Sequence, residues 1–197
     1  MNNKFYLEFE NRFRGDQEKV FQLFSNYDPL VKLILKNSDS TNLLDIGCGR
    51  GEWLRKWKDQ VNSCTGIESE ESMIKICRDY GLDILEGDAI DKLKELKNSS
   101  ITIITIFHMI EHIEHNKLLK IIHECERVLT DNGVLIMETP SIDNLIVSTK
   151  TFHLDHTHIN PINPDGISFA IEQSGFHKVK YFYLHGGPLK DDNPLKI

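Results

Sequence analysis

A chain of 197 residues with 40% hydrophobic and 27% charged side chains has the balance of one globular domain with a core of its own. Its net charge of −7 with histidine neutral excludes a surface that attracts a nucleic-acid backbone as a whole, though not a local basic groove. No apolar run is long enough to span a bilayer, and residues 1–15 are charged throughout with no apolar signal core, so a cytoplasmic protein with no transmembrane segment is expected.

Residues 16–36 read as a helix in two pieces, broken near Ser25 to Pro29, with Val20, Phe21, Phe24 and then Leu30, Leu33, Ile34 at helical spacing. From residue 43 short apolar runs alternate with helical patterns. Leu43–Ile46 reads as a strand, Glu52–Lys58 as a helix burying Trp53, Leu54 and Trp57, and Ser63–Ile67 as a second strand. Ser69–Tyr80 is a helix with Met73, Ile74, Cys77 and Tyr80 inward and Gly81 at its end. A short strand at Asp83–Leu85 precedes Ile101–Phe107, whose continuous β-branched run fits a strand covered on both faces. Lys117–Leu129 is a helix built on Leu118, Ile122, Cys125 and Leu129. Asn132-Gly133 turns the chain into strand Val134–Glu138, which Pro140 ends. Helix Pro164–Ser174 and strand Val179–Leu184 follow, and the Gly- and Pro-rich tail from His185 reads as a loose end. Alternating strands and helices imply a mostly parallel, twisted α/β sheet with right-handed crossovers and helices on both faces. The four cysteines, Cys48, Cys64, Cys77 and Cys125, form no C-x-x-C pair and lie in apolar segments, so buried free thiols are expected.

The run Asp45-Ile46-Gly47-Cys48-Gly49-Arg50-Gly51-Glu52 places a glycine turn between a buried strand and a helix, where backbone amides can approach a small ligand. Its glycines are one residue tighter than the dinucleotide fingerprint. Asp45 and Glu52 would repel a pyrophosphate and favour a ligand carrying an ammonium and no phosphate. S-adenosylmethionine has that character. Glu68, about 20 residues past the turn, suits a hydrogen bond to ribose hydroxyls. Asp88 can accept from an adenine amino group, and Ala89 leaves room beside the ring. The segment Phe107-His108-Met109-Ile110-Glu111-His112 ends the fourth strand and would border the methyl group.

In order and spacing, Asp45-x-Gly47-x-Gly49-x-Gly51, Glu68, Asp88 and Phe107–His112 resemble the motifs of class I S-adenosylmethionine-dependent methyltransferases over residues 40–140. The resemblance implies a Rossmann-like fold, S-adenosylmethionine as cofactor, and Arg14, Asp45, Gly47, Cys48, Gly49, Glu68, Ser69, Asp88, Ala89, Phe107 and His108 as its contacts. One domain is expected: an N-terminal helical cap at 1–38, a cofactor-binding core at 39–140 and a substrate-side loop, helix and last strand at 141–197. Residues 188–197 contain two prolines and make a poor seventh strand.

A narrower resemblance lies at the ends. The run Phe5 to Gly15 with Arg12 and Arg14, Gly49 to Leu54, Phe152 to Pro161 and Pro164 to Phe176 are similar to the methyltransferase domain of bacterial O-antigen chain-terminating enzymes. His156 stands where that family has proline, and there is no kinase region or long coiled coil. What this implies is methylation of a glycan or sugar-phosphate acceptor, a lipid-linked one included, by a cytoplasmic protein that can work at the inner membrane face. Nucleic acid is not expected as a partner. Aligning an oxygen nucleophile with the methyl carbon and departing sulfur is the protein's task. A hydroxyl acceptor benefits from a base, and histidine suits it near neutral pH; a phosphate oxygen needs Arg or Lys holders instead. The catalytic candidates are His158, which leads, with His156, Asp155 and His112. The rival readings are a metal-assisted enzyme using His108-x-x-Glu111-His112 with Glu114, His115, His156 and His158, a small-molecule O- or N-methyltransferase, and a cofactor-binding scaffold. The metal reading rests on imidazole and carboxylate ligands and on a similarity to the Glu-x-x-Glu-His pattern of small-RNA 2′-O-methyltransferases; the acidic net charge opposes RNA, and no metal ligand is assigned.

Overall fold

A computed structural model describes residue 12 and residues 17–184. In chain order the elements are α1 (Gln17–Leu23), a 3₁₀ turn (Phe24–Tyr27), α2 (Asp28–Lys36), β1 (Asn42–Ile46), α3 (Glu52–Trp57), β2 (Ser63–Glu68), α4 (Glu71–Asp79), β3 (Asp83–Glu86), α5 (Ala89–Glu95), β4 (Ile101–Phe107), a 3₁₀ turn (Ile110–His112), α6 (His115–Val128), β5 (Leu129–Glu138) and α7 (Pro164–Gln173). The strands form one sheet in the order β3-β2-β1-β4-β5. The pairs β1–β2, β1–β4 and β2–β3 are parallel. The amide of Ser100 donates to Val128 and that of His108 to Glu138, so β5 runs in the same direction beside β4. This is the expected α/β architecture, a parallel sheet flanked by helices. Its strand order reverses beside β1, the kind of position where open α/β sheets bind ligands at their carboxyl edge.

By its contacts the chain divides into two compact units, residues 1–105 with 128–136, and residues 106–127 with 137–197. Every residue of β4 is buried, including Thr102 and Thr105 in the first unit. Their hydroxyls are satisfied internally: Thr102 donates to the Ser40 carbonyl at 2.7 Å and Thr105 to Asp45 Oδ1 at 2.7 Å, which removes the cost of burying a lone hydroxyl. Trp53 and Trp57 on α3 are 1% exposed. Trp53 meets Phe24 and Tyr27 edge-on at 5.2 and 5.9 Å between ring centroids, so the N-terminal helices are held by buried aromatic area and ring geometry. In the second unit Leu118, Ile121, Ile122 and Cys125 form the fully buried stripe of α6. All four cysteines are free, with Cys48, Cys77 and Cys125 buried.

Four sequence expectations are corrected. Tyr80 is 40% exposed, with the Arg55 guanidinium stacked over its ring at 4.0 Å, a cation–π position that keeps the ring at the surface. On α2 the buried residue is Val31, while Leu33 is 51% exposed. Strand β5 begins at Leu129, so Asn132-Gly133 is an irregularity within it. Val179–Leu184 forms no strand: Lys178 before it has φ 60°, and the segment is tied instead by phenols, Tyr181 to Asp165 and Tyr183 to Asp143. The edge strand β3 is short and acidic, with Glu86 paired to Arg78 at 2.9 Å and Asp83 accepting from Thr65 at 2.9 Å.

Gly51 ends the glycine turn and precedes α3 with φ 76°. A Cβ there would come 2.4 Å from Leu82 Cδ1 and 3.0 Å from Cys77 Sγ. Gly51→Ala combines left-handed strain with a clash against buried side chains, so a loss of about 2–4 kcal/mol is expected from urea unfolding.

Candidate active site

The first unit gathers the candidate cofactor contacts at the carboxyl ends of β1 and β2. Gly47, Gly49 and Gly51 all have positive φ, a backbone path that side chains resist. The amides of Gly47 and Cys48 donate to the Ile67 carbonyl at 2.9 and 3.3 Å, tying the turn to β2. Beneath it, the Cys77 thiol donates to the Gly49 carbonyl at 3.2 Å. The hydrogen bond with Cys77 and then burial push the Cys48 thiol far above its ordinary pKa, so Cys48 packs and offers the ligand only its backbone. Gly66 is fitted to this packing, since a Cβ there would lie 2.6 Å from Cys48 Sγ.

Glu68 is clamped by three amides. Its Oε2 accepts from Gly49 at 2.8 Å, and its Oε1 from Ser69 at 2.8 Å and Glu70 at 2.9 Å. Three amides fix the direction of the carboxylate, which suits it to receive ribose hydroxyls. Ser69 itself is exposed and serves Glu68 through its amide. Asp45 is 3% exposed and accepts from Thr105, a buried anion at the start of the turn. Glu52 does not act with it as the sequence suggested. Arg50 Nε lies 2.7 Å from Glu52 Oε1, with both side chains buried, so the repulsion of a pyrophosphate rests on Asp45. Asp88 caps α5 by accepting from the Ile90 amide at 2.9 Å, and Ala89 is buried behind it. Arg14 lies outside the described residues; Arg12 is described as exposed.

The second unit holds a separate constellation. Phe107 is buried. His108 has φ 50°, in the left-handed region that few residues other than glycine adopt. It is held by Glu138, whose carbonyl takes the His108 amide at 2.9 Å and whose carboxylate meets the ring Nε2 at 3.1 Å. Glu111 is fully buried, and its Oε2 accepts from Thr139 at 3.0 Å. The amides of Ile159 and Asn160 both donate to the Glu111 carbonyl at 3.0 Å, which fixes the loop carrying His158 beside it. The His112 and His158 rings meet edge-on at 4.6 Å between centroids.

Both rings have assigned orientations. His158 Nδ1 lies 2.7 Å from the Phe152 carbonyl, which can only accept, so Nδ1 carries the proton there and Nε2 is left as an acceptor when the ring is neutral. Thr157 donates its hydroxyl to Asp155 Oδ1 at 2.6 Å and meets His112 Nδ1 at 2.8 Å. With its one proton committed to a carboxylate, Thr157 accepts from His112 Nδ1–H, which leaves His112 Nε2 as an acceptor as well. Asp155 Oδ1 also takes the Thr157 amide at 2.8 Å. Of the sequence candidates, the fold brings His158, His112 and Asp155 together with Glu111. His156 is exposed and outside the group. Thr157 and the Phe152 carbonyl, which set the two tautomers, were not signalled by any motif.

Burial first, and the neighbouring His158 with it, push the His112 pKa below its ordinary value despite the upward pull of Glu111. Burial acts to raise Glu111, but the His108 ring, the backbone and His112 outweigh it and hold the carboxyl below its usual range. Because folded His112 resists a proton that the unfolded chain takes up near pH 6.5, the unfolded state binds more protons below that pH. Its contribution to stability is complete above about 6.5 and is lost as pH falls toward the lowered folded value. Urea midpoints are expected to drop from pH 7.5 to pH 5, and His112→Asn to flatten that drop.

A family model described as a methyltransferase domain matches residues 17–181. A solved S-adenosylmethionine-dependent methyltransferase from Archaeoglobus fulgidus is 32% identical, with a TM-score of 0.80 over 89% of this chain and 76% of that one. The chain belongs to the methyltransferase-domain family. As a methyltransferase it uses S-adenosylmethionine, and the glycine turn with Glu68 fits that cofactor in place of a dinucleotide. An uncharacterized methyltransferase of Schizosaccharomyces pombe is 25% identical over 180 residues, covering 81% of this chain and 69% of that protein. Phosphoethanolamine N-methyltransferase 2 of Haemonchus contortus, solved with S-adenosyl-L-methionine, shares the fold at 18% identity and a TM-score of 0.59, over 86% of this chain and 44% of that one.

Proposed function

We propose that this methyltransferase transfers the methyl group of S-adenosylmethionine to a sugar hydroxyl of a bacterial surface polysaccharide. The single observation that carries the choice of a hydroxyl is the His158 tautomer. Its Nδ1 proton is committed to the Phe152 carbonyl, so Nε2 offers a lone pair, the state a general base needs. S-adenosylmethionine supplies the activated methyl group. His158 takes the proton of the acceptor hydroxyl at Nε2, and Asp155, 3.9 Å from that nitrogen, and Glu111, also 3.9 Å away, favour the imidazolium so formed. A terminal phosphate suits this cluster less. Two carboxylates, Glu111 and Asp155, stand 3.9 Å from His158 Nε2, so a phosphate placed there would meet repulsion.

Support for the glycan comes from the similarity of residues 152–161 and 164–176 to the chain-terminating enzymes. The test incubates the purified protein with methyl-labelled S-adenosylmethionine and separate pools of lipid-linked glycan, free sugars, amines and RNA. Base-stable label on a glycan hydroxyl is expected. Label confined to amines, RNA or a phosphate ester would overturn the reading.

A further inference from the structure

We propose that Glu111, His112 and His158 form a binding site for a divalent transition-metal ion. One ligand atom from each, all three within 4.8 Å of one another, converge in the second unit. An ion held tetrahedrally at about 2.0–2.2 Å from nitrogen and oxygen ligands would set them about 3.3–3.6 Å apart, so each side chain must move inward by roughly 1 Å to close the site. Three features point to an ion. Among the described residues Glu111 Oε1 is fully buried without a hydrogen-bond partner, an expensive state for a carboxylate oxygen; His108 Nδ1 at 3.6 Å and His158 Nε2 at 3.9 Å are too far for a normal hydrogen bond. Both Nε2 atoms present lone pairs, because the Phe152 carbonyl and Thr157 hold each ring's proton at Nδ1. Those same Nδ1 bonds, one to a carbonyl and one to a hydroxyl backed by Asp155, are the outer-shell contacts that orient metal-ligating histidines. A buried carboxylate oxygen and two imidazoles gathered at this spacing suit a cation.

Two imidazoles and one carboxylate suit Zn²⁺, Co²⁺, Fe²⁺ or Mn²⁺ over Mg²⁺ or Ca²⁺, which take oxygen ligands. Three protein ligands leave a position open for a water or a hydroxyl. Base and ligand are alternative uses of the one His158 lone pair. In the ion-bound protein the acceptor hydroxyl is activated by coordination, while metal binding itself holds whatever the acceptor proves to be.

The full chain, stripped with chelator, is titrated with Co²⁺ and its absorption followed, and Zn²⁺ affinity is measured by calorimetry. Wild type is expected to give the ligand-field bands of a nitrogen–oxygen site and bind one ion per chain. Glu111→Gln and His158→Asn should each lose affinity by about 100-fold or more. His156→Asn, whose ring is exposed outside the cluster, should bind as wild type. S-adenosylmethionine affinity checks that each variant is folded. Equal Co²⁺ binding by wild type and both ligand variants overturns the site. So does an absence of binding, with His158 nitrogen shifts at neutral pH showing an imidazolium: a proton then fills the place of the ion.

Discussion

Glu68→Ala is expected to weaken S-adenosylmethionine binding by about 100-fold or more, which is about 2.7 kcal/mol. The carboxylate accepts three amide protons, from Gly49, Ser69 and Glu70, and bonds to a charged acceptor are each worth about 1.5–3 kcal/mol. Alanine removes both the ribose acceptor and the clamp that joins the glycine turn to the end of β2. Calorimetry measures the affinity and a thermal melt shows the fold intact. Glu68→Gln should fall between, since one oxygen can still accept while its amide faces an N–H. A dissociation constant within threefold of wild type for Glu68→Ala would remove Glu68 from the cofactor site.

His158→Ala is expected to lower kcat by about 10²- to 10⁴-fold while leaving S-adenosylmethionine affinity within about twofold. The loss should be largest at neutral pH and shrink at high pH, where hydroxide in solution competes with the missing base. Thr157→Val provides the companion measurement. It breaks the contact that holds His112 by its Nδ1, so it should cost less than His158→Ala and leave the His158 tautomer in place. A His158→Ala enzyme at full rate would contradict any use of its Nε2 lone pair in transfer.

How legible this was varied with the kind of physics involved. Strands β1 and β4 were plain because buried parallel strands are nearly continuous apolar runs, and Ile101–Phe107 matched at both ends. Helix α5 was not read at all. AIDKLKE has few apolar residues, and the one local sign of its start is Asp88, whose carboxylate caps the Ile90 amide. The strand reading of Val179–Leu184 used a real alternation, yet Tyr181 and Tyr183 spend their hydroxyls on acids in other segments, a tertiary choice that local pattern cannot contain. At the candidate site, the meeting of the glycine turn with Glu68, seen in the Gly49 amide bond to the carboxylate, followed from spacing along two strands. The histidine cluster did not. His108-x-x-Glu111-His112 was visible, but whether His156 or His158 joins it depends on the turn in which Asp155 captures the Thr157 amide and hydroxyl. That turn sends residue 158 to the cluster and leaves residue 156 at the surface. Glu52 shows the reverse error: its charge was legible and its neutralisation by Arg50 was not.

The acidic edge strand has a consequence for association. A strand at the end of a sheet offers unpaired amides and carbonyls to any passing chain, and long flat edges of that kind template aggregation. Here the edge is four residues, Asp83–Glu86, with an exposed acid at each end. A second copy docking in either direction would bring its own carboxylates against these. Charge and shortness thereby guard the β3 side of the sheet against self-assembly.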